Sequence, residues 1–343
     1  SYLLIYGKLP TRDELARFTF DARNPAGIFA SSIGTNHPAS GPLENELVAG
    51  VTGEAVKLTG DHAVTTTLGN FHRHEPFSVS LWIKSPDVKE RAVVMHRSRA
   101  WTDAGSRGYE LLIEEGKLKW SLIYFWPGDA ISIRATAPLP TNEWIHVTVT
   151  SDGSSRADGL RLFVNGQRAR VEVIRDHLTK DITGGGGDTI ALGERMRDKG
   201  FKGGLVDDLR VFGRALGDLE AREVFGPGAL PALLAKDAAA LTSGEREDLF
   251  QYFLVNRDDP FRQQLAALQK AREAQGKLAD AAMEIMVMRE LAQPKTAYML
   301  KRGEYNQREQ AVEPGTPAAL PAFPAGQPAN RLGLARWLTD PQD

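Results

Sequence analysis

The sequence predicts a mainly β protein, a β-sandwich of jelly-roll type followed by a smaller α-helical connector. Three observations predict it. Apolar and polar residues alternate in short runs, most clearly in Phe77–Lys84 (FSVSLWIK), and a period of two means a strand with one face in a core. Turn dipeptides that tolerate positive φ, Glu115–Gly116, Asp152–Gly153 and Asn165–Gly166, separate these runs. The runs are also many and short, which favours a sandwich over an α/β fold.

In chain order, residues 1–19 read as a short lead-in helix or the tail of a preceding domain. Pro10, Thr11, Asp13 and Glu14 make a helix start, and Leu15 and Phe18 stand at helical spacing. Residues 20–225 carry the strands: 54–59, Phe77–Lys84, 109–113, 117–124, 144–151, Leu160–Val164, 189–193 and 203–212. Residues 226–313 read as a helical hairpin plus a short extended pair. The first helix opens at Ser243. The second follows Asp258–Asp259, with Pro260 in a first-turn position suited to its fixed φ. The segments 283–289 and 296–300 form the predicted extended pair. Residues 314–343 hold a linker with five prolines (314, 317, 321, 324 and 328) and a last helix capped by Asn330.

Composition narrows the function. At 343 residues, two or three domains are expected. A net charge of −2 supplies no field for nucleic acid. No apolar run approaches the ~18 residues of a membrane span. The lack of cysteine removes disulfides, thiolate zinc sites and covalently attached haem. The chain opens at Ser1 without an initiator Met or a signal peptide and reads as a piece of a longer polypeptide.

The blocks FSVSLWIK, WIHVTVTSDGS, GLRLFVNGQ and GGLVDDLRVFGRAL, in that order, resemble the laminin-G-like family, a concanavalin A-type jelly roll in its pentraxin-like variant. MEIMVMRELAQPKTAYMLKRGEYNQ, the proline-rich stretch and NRLGLARWLTDP resemble the junction that precedes a conserved domain in large planctomycete-type proteins. There a laminin-G-like domain lies between two domains of unknown function, often behind a cytochrome c domain. HRSRAWTDAGSRGYEL and YFWPGDAISIRA resemble that group's version of the sandwich. The resemblance implies an extracytoplasmic multidomain parent, flanking domains of the same chain as partners, and no haem in this segment. It also implies a structural calcium near the closing strand, held by Asp207 and Asp208 with Asp61 or Asp21 as the early acidic residue. A two-Asp signal falls short of the six to eight oxygens calcium takes, and an ion pair of these aspartates with Arg210 or Arg195 is the competing account.

The candidate ligand site is the Arg/Trp-rich stretch 97–109, with Arg97, Arg99, Trp101, Asp103, Arg107 and Tyr109, joined by Trp126, Arg134 and Arg195. Aromatic faces and guanidinium forks suit sugar rings and carboxylate or sulfate groups. Trp101 and Trp126 stand out because they fall in turns. The loops at 97–109, 126–129 and 194–199 are therefore the expected binding surface. The competing account has Trp82, Trp120 and Trp144 packing the core and the arginines solvated or paired with Asp103. His72 and His74, on one face of a strand, suit zinc but lack a third ligand; a turn before Pro76 is the plainer reading. The Gly run at 184–187 lacks the Lys-Ser/Thr ending of a phosphate loop and reads as a hairpin loop. Catalytic signatures are missing: no Glu-x-Asp-x-x-Glu strand, no Gly-x-Ser-x-Gly elbow, no His-Glu-x-x-His. The sequence thus points to a non-catalytic carbohydrate-binding module, with an acidic or sulfated glycan as partner. The alternative is a spacer or protein-interaction module between flanking domains, which would bury the 97–109 loop against the C-terminal helices.

Overall fold

The structure, a computed structural model, describes residues 13–33, 37–101, 103–283, 285, 287–288, 290–293 and 295–339. It forms two compact units, Ser1–Ala282 and Met283–Asp343.

The first unit holds seventeen strands among its described residues. They are β1 (Glu14–Phe18), β2 (Ile28–Phe29), β3 (Ala39–Ser40), β4 (Glu46–Ala49), β5 (Glu54–Lys57), β6 (Val64–Thr66), β7 (Phe77–Lys84), β8 (Arg91–Arg97) and β9 (Gly108–Glu114). Next come β10 (Lys117–Phe125), β11 (Asp129–Ala135), β12 (Ile145–Ser151), β13 (Leu160–Val164), β14 (Gln167–Arg168), β15 (Val171–His177), β16 (Ala191–Leu192) and β17 (Leu205–Phe212). One sheet runs β14-β13-β12-β7-β17-β5-β4, with β1 paired to β17. The other runs β15-β11-β10-β9-β8-β16-β6-β3-β2. All these pairings are antiparallel, so the fold is the sandwich the alternating runs predict.

The inward positions of β7, Phe77, Val79, Leu81 and Ile83, share one core with Tyr109, Leu111 and Ile113 of β9 and Leu118, Trp120 and Leu122 of β10. Phe77 meets Trp120 edge-on at 5.9 Å, and the Trp120 indole N–H donates to the Thr150 carbonyl at 3.1 Å, so the buried ring leaves no orphan donor.

The lead-in helix does not form over 14–18. That stretch is β1, with Glu14, Ala16 and Phe18 buried in alternation. Its acidic start is no helix cap: Glu14 accepts a two-pronged hydrogen bond from Arg210 on β17, at 2.7 and 3.0 Å. Such a partner, 196 residues along the chain, is invisible locally.

Four helices follow the sandwich: α1 (Asp218–Phe225), α2 (Ala229–Leu234), α3 (Ser243–Asn256) and α4 (Asp259–Ala281). α1 lies on the outer face of the β7/β12 sheet, where Phe225 packs on Trp82 at 5.5 Å and on His146 at 5.7 Å. The N-cap of α3 is Thr242, one residue before the predicted start, and it forms a full capping box with Glu245. Asp258 caps α4, accepting from Phe261 N at 2.7 Å, with Pro260 in the first turn as predicted. Only Gly276 of α4 is buried. The helix is held near its C-terminal end, where Lys180 donates to the Ala279 and Ala282 carbonyls and Asp181 N donates to Asp280 at 3.0 Å.

In the second unit β18 (Ala297–Leu300) pairs with β19 (Arg308–Val312). The predicted partner of 296–300 was 283–289, a segment of which 284, 286 and 289 lie outside the described residues. The observed partner is the polar segment REQAV. α5 (Arg331–Leu338) starts as predicted, its Asn330 cap accepting from Gly333 N at 3.1 Å. No helix among the described residues is long and apolar enough to cross a membrane.

Candidate functional site

Three loops converge over the outer face of the nine-stranded sheet. A turn closed by Ala100 N on the Gly105 carbonyl (2.8 Å) carries Trp101, whose own N–H donates to the Met196 carbonyl at 3.0 Å in the 194–199 segment. The β10–β11 turn carries Trp126. The two indoles lie 6.3 Å apart, tilted by 49°, and both are half-buried. Each is backed by cations: Arg91 and Arg195 lie 4.2 and 5.2 Å from the Trp101 ring, and Lys119 and Arg175 lie 4.4 and 5.5 Å from that of Trp126.

Beneath the pair the sheet carries a buried ionic layer. Arg195 pairs with Glu110 of β9 at 2.7 Å and with Asp198 at 2.6 Å, and all three side chains are essentially sealed from solvent. Arg91 of β8 joins Asp198 at 2.6 Å, and Lys119 of β10 joins Glu114 at 2.9 Å. Burial opposes the charge on Asp198, yet the hydrogen bond from Arg91 and the Arg195 charge hold its carboxyl below the usual range. His96 Nε2 meets the Glu194 carbonyl at 2.8 Å. Burial, reinforced by Arg195, pulls its pKa down to about 3, so the ring is neutral. Such a layer adds little net stability, but losing one partner leaves an uncompensated buried charge. Glu110 and Glu114 share a strand face four residues apart, about 13 Å by strand rise, too far for the carboxyl pair of a glycosidase.

The predicted site residues divide into groups. Trp101, Trp126 and Arg195 come together, although Arg195 is 1% exposed and serves beneath the rings rather than at the surface. Arg97 and Tyr109 do not join them. Arg97 is 0% exposed and donates to the Ile182 carbonyl, Asn70 and Asp188, while Tyr109 is in the core with its hydroxyl on the Gly69 carbonyl at 2.7 Å. Their place in the fold corrects the expectation that the whole 97–109 stretch is a surface loop: 97 ends β8 and 109 lies in β9. Arg107 stacks on Tyr124 at 4.2 Å, and Arg99 is exposed beside the glycine loop. Gly187 at φ 65° brings that loop so near that a Cβ would stand 2.1 Å from the Ser98 carbonyl oxygen, a packing role. Arg134 is engaged by Glu115 and Glu172, each at 2.7 Å. Asp103 lies in a single 3₁₀ turn, Asp103–Ser106.

Asp21, Asp207 and Asp208 do line one cavity, of about 90 Å³, with Arg17, Thr19, Val51, Thr52 and Trp82. Asp61 does not; it faces Glu194 and raises the pKa of that carboxyl, which burial already lifts. The ion pair of the closing strand is made with neither Arg210 nor Arg195: Arg17 grips Asp208 at 2.6 and 3.1 Å. Asp207 accepts from the amides of Val51 (2.8 Å) and Asp208 (2.7 Å), and burial still pushes its carboxyl up to about 6. These oxygens face donors, so the residues do not fit a calcium cage, and no cluster of three His, Asp or Glu suited to a metal occurs among the described residues. His72 and His74 stack at 5.3 Å in a turn, with His72 Nδ1 2.5 Å from Asp181.

Arg91, Lys119, Glu110, Asp198 and Arg175 were missed in sequence reasoning. Arg91, Glu110 and Lys119 sit inside strands, where only the register shows that they face outward beneath Trp101 and Trp126. A cleft of about 700 Å³ between the sandwich and α3–α4 lies away from these residues.

Residues 58–222 match the laminin G family model described as the Concanavalin A-like lectin/glucanases superfamily. The sandwich is concanavalin A-like. No curated protein matches the chain. Among solved structures, the chain is similar to the binding domain of Paraclostridial Mosquitocidal Protein 1, with 16% identity over 62% of this chain and 52% of that one and a TM-score of 0.48. It is also similar to the binding domain of botulinum neurotoxin serotype D (19% identity, 62% and 51%, TM-score 0.45) and to that of serotype G (14%, 62% and 50%, TM-score 0.45). The chain thus spans about half the length of these structures. The concanavalin A-like sandwich sets the scaffold; ligand chemistry must be argued from the loops.

Proposed function

We propose that the concanavalin A-like sandwich is a non-catalytic carbohydrate-binding module whose ligand, an acidic or sulfated glycan, stacks on Trp101 and Trp126. The observation that carries this reading is the pair itself: two tilted, half-buried indoles, set 6.3 Å apart by turns on a rigid sheet. Aromatic faces of this kind suit pyranose rings. Among the residues whose side chains are described, no carboxylate pairs with Arg99, Arg107 or Arg175, which favours an anionic ligand. The spacer alternative is less favoured, because neither tryptophan packs on α1–α4: their ring and cation partners are Arg91, Lys119, Arg175, Arg195 and each other. In this reading the parent is an extracytoplasmic multidomain protein, with flanking domains as further partners.

Affinity gel electrophoresis through acidic and neutral polysaccharides tests the proposal. The wild-type protein is retarded by acidic glycans, and Trp101→Ala and Trp126→Ala migrate freely while keeping native thermal melts. Wild-type migration unaffected by any acidic or neutral glycan would sink it.

A further inference from the structure

We infer that Arg17 takes the place of a metal ion at the Asp21–Asp207–Asp208 corner, which makes the sandwich independent of calcium. The resemblance that brought these three aspartates together implies a structural cation, and the corner disagrees with it on three counts.

First, the positive charge is built in. The Arg17 guanidinium on β1 reaches Asp208 with Nε and one terminal nitrogen, at 2.6 and 3.1 Å. This two-pronged geometry satisfies both carboxylate oxygens with fixed direction. Asp208 can meet it because the β7–β17 register shifts between Asp207 and Arg210, with Asp208 at φ 43°. That bulge turns its side chain toward β1.

Second, the Asp207 oxygens are taken by N–H donors, one by Asp208 N and the other by Val51 N. Asp21 accepts from Glu54 N at 3.1 Å. An oxygen whose lone pairs face amide protons is oriented against a cation.

Third, the space for a coordination shell is filled by backbone. The turn between β4 and β5 lies directly on the carboxylates. A Cβ at Gly53 (φ 67°) would stand 1.9 Å from Asp21 Oδ1, and one at Gly50 would stand 2.6 Å from Asp207 Oδ2. Calcium needs six to eight oxygens at 2.3–2.6 Å, whereas the corner is lined by three carboxylates, of which Asp207 and Asp208 already face N–H donors, together with Arg17 and the apolar groups of Val51 and Trp82.

The role assigned to Arg17 adds to what holds β1 in the sandwich. Besides its backbone pairing and the buried Ala16 and Phe18, β1 ties to β17 through two guanidinium–carboxylate pairs, Arg17–Asp208 and Arg210–Glu14. The Arg17 side chain supplies from within the chain the positive charge that a bound cation would supply from solution.

Two measurements test this on the whole chain. Melting temperature is read in EDTA and in 5 mM calcium chloride, and terbium is titrated with excitation of the tryptophans, since Trp82 lines the corner. The expected results are no shift in melting temperature and no sensitised terbium emission. A rise of several degrees with calcium, or saturable emission lost on Asp207→Asn, would overturn metal independence. Arg17→Gln is then compared in the wild-type and Asp208→Asn backgrounds. It should lower the melting temperature by about 3–5 °C in the first and by much less in the second. Equal losses in both would overturn Arg17 as the counter-charge of Asp208.

Discussion

Acidification from pH 7 toward pH 5 should destabilise the first unit steeply, because two histidines are locked in their neutral form. His96 and His146 are 5% and 1% exposed. Burial, aided by Arg195 at His96 and by Arg210 at His146, lowers each pKa to about 3. In the unfolded chain each titrates near ~6.5. Above that pH both states are neutral and stability is complete. Below it the unfolded state takes up a proton that the folded state refuses, so stability is lost down to about pH 3. Each residue contributes about 1.4 kcal/mol per pH unit, and the two together about 2.7. Asp207 works in the opposite sense. Its carboxyl is raised to about 6, so the stability it adds is fully present below the unfolded value, near ~3.9, and is lost as pH rises through 6. The net slope between pH 6 and pH 4 is then about 1.4 kcal/mol per unit, a sizeable share of a typical ~5–15 kcal/mol. Urea midpoints followed by tryptophan fluorescence at half-unit steps from pH 7.5 to 4.5 give the slope. NMR of the ring protons should show two of the seven histidines failing to titrate above pH 4. A flat stability profile from pH 7 to 5, or seven histidines all titrating above pH 5.5, would refute the reasoning.

Arg195→Met should cost about 3–5 kcal/mol in urea unfolding, because it strands Glu110 as a buried charge and leaves Asp198 to Arg91 alone; a loss under 1 kcal/mol would show that the layer is wetter than its burial implies. Lys180→Ala should free the C-terminal half of α4, raising amide exchange over 270–281 about tenfold while β7, β10 and β12 stay protected. Unchanged exchange there would mean the helix is held by something other than that lysine. Removal of calcium and the Arg17–Asp208 cycle test the metal-free corner, and Trp101→Ala tests the glycan reading.

Much of the sandwich was legible because its strands have one wet or polar face. FSVSLWIK and LRLFV show their period of two directly, and both strands end where the sequence places them. β8 (RAVVMHR) was not legible: all but its first residue are buried, so no alternation marks it. β1 misled for the opposite reason, since its polar residue is buried by a partner 196 residues along the chain. The site was legible to the extent that a turn exposes what it carries, as with Trp101 and Trp126. Arg97 and Tyr109, in the same run of sequence, are sealed by loops at 69–70 and 182–188 that only the fold brings close. A local cluster of arginines and aromatics is therefore divided by the sheet into a surface part and a core part.

The ionic layer under Trp101 also bears on how a ligand would be met. Three strands and a loop grip the groups that support the two rings, so their orientation is fixed when the chain folds rather than when it binds. Association on such a footing costs little ordering, and partner choice would become a property of the exposed ring surfaces and the arginines beside them. Exchanging Trp101 or Trp126 for another aromatic residue would then retune recognition while the frame beneath stays as it is.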